Sequence, residues 1–586
     1  MKMTLGAGRE GLAGGIARHP LAPVLAIAAI GAGVWYVLGR VLTLPQVFSD
    51  ELVYFEAARA FADHGAVPTY YGAVTPAVDS LAFLVASPIG AYHGIQISNS
   101  VAMASAAWPA YLLAKRVLPY SWALVVAALT VSVPWMVYTR FVMTEPVFYP
   151  IFLWFVLVLA RALELPTRRR QLVLLLVAAL AYATRAQAAV LFPAIVLAVL
   201  LFGVARGAVQ TTVRSFTFTW ILSCIGGAVV LAAAAVSSWN PFGAYSGLFE
   251  GLRHPHGLLL WTAANTTSLS LGVGILVAAA APFGAITLLR REGTAAGQAF
   301  AAAAVASTLG LLLTVVVLSE NALYGLGSVH ERNLFYVAPL LLICALAWAE
   351  RGFPASRRLL VVTFAAVIAL AQLMPAGVLE GGSFDTLSFK FWTKLTPWGL
   401  APHLVIVLAT IVAAILLLVA RSTALLVATF VLATIGVASA SQYHNDVPRS
   451  LTARYEWVDR ELPAHAEATL MWVDCSAPAC GTGHPDERLA RVAVYTELFN
   501  SRVTEVGRIG ADNPRRGLAS TVFTLRGDGT VLREGAPLHS RYVVVDNRVR
   551  VEGARLAALR SSDVRVEANH QALALWRTDG IVRLVR

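Results

Sequence analysis

Charge is scarce in this chain: 13% of its 586 residues are Asp, Glu, Lys or Arg, where a soluble domain carries about 25%. With 58% of residues hydrophobic, that scarcity excludes an ordinary soluble enzyme over most of the length. Cysteine numbers four. Cys224 and Cys344 fall in apolar runs, and Cys475 and Cys480 have only His484 nearby, too few ligands for a zinc site. No Walker or Rossmann glycine motif occurs, so neither of those phosphate-cradling loops is available. Internal repeats and low-complexity tracts are also missing. No small-residue cleavage site follows the first apolar stretch, Leu21 to Leu44, which is too long for a secretory leader and reads as a retained span.

What is present is a series of apolar runs, each long enough to cross a bilayer as a helix. The expected spans lie near 21–43, 95–117, 120–138, 146–163, 171–184, 188–205, 216–236, 268–290, 298–318, 333–349, 358–374, 400–420 and 422–441. That is about thirteen, and an odd number puts the termini on opposite sides. With the N-terminus assigned to the cytoplasm, the inside loops hold most of the basic residues, including Arg168, Arg169, Arg170, Arg290, Arg291 and Arg358. The outside loops are longer in total and hold only eight. This positive-inside bias accounts for most of the net charge of +12, so no nucleic-acid partner is needed. The expected location is the plasma membrane, multi-pass, with membrane lipid around it.

The pattern changes near Tyr443. From there to Arg586 there are 20 Arg, no Lys and 18 acids, and no apolar run long enough to span. Two domains follow: a transmembrane domain, 1–442, and an extracytoplasmic soluble domain, 443–586. The stretch 454–466 reads as a short helix ending at Pro463, and EATLMWVDC as a strand. Hairpins are expected at TVFTLRGDGTVLRE, at RYVVVDNRVRVEG (turning at Asp546-Asn547) and at HQALALWRTDGIVRLVR (turning at Asp579-Gly580). The fold expected is an α-helical polytopic membrane protein with a C-terminal domain running from α/β to β-sandwich. An oxidising exterior permits a local disulfide between Cys475 and Cys480. Tyr495, Phe499, Phe523, Tyr542 and Trp576 suit a core first and sugar contact second.

Acids gather outside: four lie in inside loops and eleven outside or at the outer face. Ionisable groups near lipid are costly and tend to mark function. In SDELVYFEAARAFADHG (49–65), Ser49 can cap a helix whose first turn holds Asp50 and Glu51. Tyr54, Phe55, Ala58, Phe61 and Ala62 then form an apolar stripe, expected to lie along the membrane interface. Asp50 and Glu51 either favour the helix dipole or, for Asp50, project into a cavity as a base. Arg140 and Glu145 lie in TRFVMTEPVFY, and His330, Glu331 and Arg332 in a loop that Gly325 and Gly327 free. Arg185 closes a span, where a charge calls for a partner. Acids and fixed cations on one face suit glycosyl transfer from a lipid phosphate. A carboxylate takes the acceptor proton, and cations meet the charge that builds on the leaving phosphate.

These motifs, together with HERNLFYVAPLL before a late span, resemble the polytopic glycosyltransferases of the C superfamily over residues 20–440. The nearest likeness is to the protein O-mannosyltransferase and aminoarabinosyltransferase branch and to actinobacterial cell-envelope members. The resemblance implies an inverting enzyme that moves a sugar, mannose or arabinose among the options, from a polyprenyl-phosphate donor to a glycan, lipid or protein acceptor. Asp50 would be the base. Glu51 or Glu145 would position the acceptor or a divalent ion, and Arg140, Arg185, His330 and Arg332 would meet the lipid phosphate. Glu145 stands alone where the family has a spaced acidic pair, so a divalent metal stays an open alternative. The absent glycine motifs agree with a lipid-linked donor. Two other classes share some features: a transporter or flippase of lipid-linked sugars, which would show repeated halves, and a non-catalytic protein whose soluble domain holds envelope glycan.

Overall fold

The structure, a computed structural model, describes residues 21–42, 49–65, 72–85, 88–237, 241, 257–320, 329–354, 357–374, 378–379, 385–394, 401–441, 456–473, 487–510, 520–560 and 572–585. The chain divides into two compact units. One comprises Met1–Arg40, Thr69–Thr75 and Gln96–Asn445; the other comprises Val41–Pro68, Pro76–Ile95 and Asp446–Arg586.

The first unit is helical, and each of the thirteen expected spans contains helix. Among the described residues, six helices are long and apolar enough to cross a membrane, or eight if two bent pairs count as spans. Four shorter apolar helices accompany them, so the count of thirteen is not reached by unbroken length. The expected span 268–290 is instead two helices, Leu258–Val273 and Ile275–Leu289, bent by 105°. Gly274 makes the break: its φ of 90° is the left-handed region that an L side chain resists, and a Cβ there would lie 3.0 Å from the Thr429 carbonyl oxygen. Helix Glu145–Glu164 is apolar on nearly all sides and mostly buried, the signature of a central helix. Pro146 starts it, where a missing N–H costs nothing.

The second unit contains an eight-stranded mixed sheet in the order β5-β4-β3-β2-β1-β6-β8-β7. Its strands are β1 Ala468–Val473, β2 Val503–Ile509, β3 Thr521–Leu525, β4 Val531–Arg533, β5 Ala536–Pro537, β6 Tyr542–Asp546, β7 Arg555–Arg560 and β8 Leu573–Arg577. β1 pairs in parallel with both β2 and β6, with helix Glu487–Phe499 crossing over between β1 and β2. The α/β start is therefore present, and the β-sandwich is corrected to a single sheet. On β1, Leu470 and Trp472 face one core with Trp457 and Val492, while Met471 and Val473 face another with Phe523 and Val582. A central strand covered on both faces reads as a continuous apolar run rather than an alternation.

The β3–β4 hairpin forms as expected. The other two do not. β6 pairs with β1 and β8, and the residues after Asp579-Gly580 bridge to Thr530, His539 and Val551 instead of folding back on β8. The expected helix 454–466 shortens to Trp457–Glu461. Tyr495, Phe499, Phe523 and Tyr542 are buried and Trp576 is half-buried, so their role is in the core. Cys475 and Cys480 lie outside the described residues.

Helix Ser49–His64 belongs to this second unit. Its apolar stripe meets protein: Phe55 is fully buried, stacks on Phe499 at 6.2 Å and touches Phe83 and Tyr92. Burying such a ring contributes about 1.5–3 kcal/mol. Arg59 Nη1 donates to the Glu497 carbonyl at 3.0 Å. Of the stripe expected to lie along the membrane interface, Tyr54, Phe55 and Ala58 are thus buried within the protein, and Phe61 and Ala62 are half-buried.

Candidate active site

In the helical unit, residues far apart in sequence converge on Glu145. Glu145 sits in the first turn of its helix, where the backbone dipole favours a carboxylate. Arg185 reaches it because residue 185 is a single extended residue (φ −155°, ψ 122°) between helix Arg168–Thr184 and the turn Ala186–Val190. Arg185 Nη1 lies 2.7 Å from Glu145 Oε1 and donates to Thr144 Oγ1 and the Tyr336 hydroxyl, each at 3.1 Å. Its Nη2 donates to Asn333 Oδ1. Both side chains of the ion pair are buried.

Arg332 comes from the other direction. Its Nε lies 2.7 Å from Asp385 Oδ1 and 3.8 Å from Glu145 Oε1, and its backbone N–H donates to the Asp385 carbonyl. It is the more exposed of the two arginines, at 15% against 7% of side-chain surface. The motif HERNLFY makes this possible by forming two successive tight turns, Glu331–Asn333 and Phe335–Val337, before helix Ala338–Glu350. Within it Arg332, Asn333 and Tyr336 all serve the cluster.

Glu331 turns elsewhere. Its carboxylate accepts from Trp135 Nε1, from the hydroxyls of Ser268 and Ser388, and from the Ser388 N–H at 3.2 Å. It lies outside the spanning helices, and burial pushes its carboxyl up to about 7 while these hydrogen bonds pull the other way. His330 is buried, and its backbone N–H donates to Asn265 Oδ1. Arg140 is buried in the turn Pro134–Arg140; its carbonyl accepts from Gln96, and its guanidinium lies over the Phe141 ring. Gly325 and Gly327 lie outside the described residues.

Asp50 and Glu51 occupy the first turn of Ser49–His64 in the second unit. Asp50 is half-buried; Glu51 is fully buried and accepts from the Tyr92 hydroxyl at 3.4 Å. The side chain of Ser49, the expected cap, lies outside the described residues. Among the described residues, no three His, Cys, Asp or Glu side chains are grouped to hold a metal. Glu145 and Asp385 instead answer arginines, a donor set that does not fit a divalent ion. Sequence reasoning placed Glu145, Arg185 and Arg332 in the site. It passed over the site roles of Asp385, Asn333, Tyr336 and the serines; Asp385 had a signal as one of the outer acids, and Asn333 and Tyr336 as polar residues within a quoted motif.

The apolar helical unit and the mixed sheet are a fold shared with a solved membrane protein. In particular, the chain is similar to ArnT from Cupriavidus metallidurans in its crystal structure bound to undecaprenyl phosphate. The TM-score is 0.53 at 12% identity, covering 95% of this chain and 98% of that one. The apo state of the same protein gives 0.49 at 11% identity over 94% and 97%. The Archaeoglobus fulgidus oligosaccharyltransferase gives 0.41 at 12% identity over 82% and 64%. No family model and no curated protein matches the sequence.

Proposed function

We propose that the protein is a membrane glycosyltransferase that moves a sugar from a polyprenyl-phosphate donor to a cell-envelope glycan, lipid or protein acceptor at the outer leaflet. The observation that carries the reading is the convergence of Arg185 and Arg332 on Glu145. Arginine forks match phosphate oxygens, and carboxylates that hold the arginines in advance reduce the reorganisation needed when the phosphate leaves. Arg185, the more buried, acts as a positioning residue for Glu145, Asn333 and Tyr336. Arg332, the less buried of the two and beside Asp385, meets the donor phosphate, with Arg140 and His330 as the further candidates.

In the reaction Asp50 takes the proton of the acceptor hydroxyl. The freed oxygen forms a bond to the anomeric carbon as the bond from that carbon to the phosphate oxygen breaks, and polyprenyl phosphate leaves. Attack from the face opposite the phosphate inverts the configuration. Supporting this reading are the shared fold with ArnT, whose crystal structure holds undecaprenyl phosphate, and the arginine bias, which favours a cytoplasmic N-terminus and an outer sheet unit. No step uses a metal. The test is to incubate purified protein with polyprenyl-phosphate-linked mannose or arabinofuranose and envelope acceptors. Release of polyprenyl phosphate coupled to acceptor glycosylation is expected. Movement of an intact lipid-linked sugar between leaflets, with no bond broken, would make the protein a transporter instead.

A further inference from the structure

The second unit holds a cleft of about 1360 Å³. One wall is a single face of helix Ser49–His64: Glu56, Arg59, Ala60 and Asp63 recur at helical spacing. The facing wall is built from the amino ends of β1, β3 and β6, at Thr469, Thr521 and Tyr542, and from the end of β8 at Arg577. Polar groups supply more than half of its lining, with Glu467 and His539 among them.

Its arginines differ in how they are answered. Arg59 pairs with Asp63 at 3.5 Å, and Arg533 with Glu505 at 3.1 Å. Arg541 and Arg577 also line the cleft and are exposed, and no carboxylate among the described residues pairs with either. They are neighbours: the Thr578 N–H donates to the Arg541 carbonyl at 2.9 Å, and Arg577 stands opposite Tyr542, the residue after Arg541. On its other side Arg577 stands directly opposite Arg555 of β7, which is also exposed. Like charges directly opposite in an antiparallel pair destabilise the sheet. Arg541 and Arg577, which line one cleft without a carboxylate partner among the described residues, are relieved by a bound anion, and their forks fit phosphate or carboxylate oxygens.

The placement of the helix adds a direction. Glu56, the first cleft residue, lies six positions past Asp50, about 9 Å along the helix axis. A ligand in the cleft therefore runs along the same helix that carries the proposed base. We infer that this cleft binds the acceptor, and that the acceptor is a glycan bearing an anionic group, phosphate or carboxylate, held by Arg541 and Arg577. The inference rests on the reading of Asp50 as the base of a glycosyltransferase.

The test is a binding titration of the full chain in detergent with three probes: 6-phosphorylated maltotetraose, unmodified maltotetraose and inorganic phosphate. The phosphorylated sugar is expected to bind about tenfold or more tighter than either other probe. An Arg541→Gln, Arg577→Gln double variant, whose melting temperature should match the parent because both side chains are exposed, is expected to erase that advantage. Equal affinity for the three probes, or an advantage that survives the double substitution, would overturn the inference. Binding is read without turnover, so an inactive Asp50→Asn chain still tests the cleft, and failure of the cleft leaves the reaction at Asp50 standing.

Discussion

Arg185 and Glu145 form a buried ion pair at 2.7 Å, and each sits at a helix boundary: Arg185 follows Thr184, and Glu145 opens its own helix. Removing one member leaves a buried charge without its partner, at a cost of about 3–5 kcal/mol. Arg185→Ala is therefore expected to lower the thermal midpoint of the purified protein sharply. Pairing it with Glu145→Gln should restore much of the loss. A single variant as stable as the parent would show that the pair is exposed to water in the membrane-embedded protein.

Arg332→Gln is expected to raise the donor KM and lower kcat together, since a cation on the phosphate acts in the ground state and more strongly as charge builds. Loss of one such contact corresponds to roughly 10²–10³ in kcat/KM. Steady-state kinetics with varied donor checks this. Unchanged constants would move the phosphate contact to Arg140 or His330.

Glu331 carries a pH signature. Its carboxyl is raised from 4.5 to about 7 in the folded protein. A carboxyl raised on folding holds its proton more tightly there, so its contribution is fully present below about 4.5 and is lost as pH rises to about 7, on the order of 3 kcal/mol in all. The thermal midpoint should fall across that window, and Glu331→Gln should flatten the fall. A parent midpoint that rises steadily from pH 5 to 7 would contradict this.

Gly272 guards the same carboxylate. A Cβ at this position would lie 2.4 Å from Trp135 Cζ2, and Trp135 donates to Glu331. Gly272→Ala must displace the indole, and activity and thermal midpoint are expected to fall together. An alanine variant with both unchanged would show that the ring can shift without consequence.

Much of the helical unit was legible because an apolar run of sufficient length has few alternatives to a helix. Arg185 and the HERN motif stood out because charge next to a span requires a partner. Ser268 and Ser388 gave no signal: a serine in an apolar helix looks the same whether or not a carboxylate from a distant turn reaches it. The sheet was misread as a sandwich although LMWV and YVVV are unbroken apolar runs, the mark of strands buried on both faces. Least legible was the home of helix Ser49–His64, since its stripe suits a membrane surface as well as Phe499 does. One consequence is that deleting 446–586 would also strip that helix of its packing, so truncation cannot isolate the soluble domain from Asp50.

The central claim is that Asp50 is the base. Asparagine keeps the size of the side chain but takes no proton at neutral pH. The most direct measurement is the turnover of purified Asp50→Asn with a polyprenyl-phosphate sugar donor and acceptor, beside its thermal midpoint and its donor KM. A loss of roughly 10²–10⁴ in kcat, with the midpoint and KM unchanged, is the predicted result. Near-parental turnover by a well-folded Asn variant would contradict it, leaving Asp50 as a helix-start carboxylate.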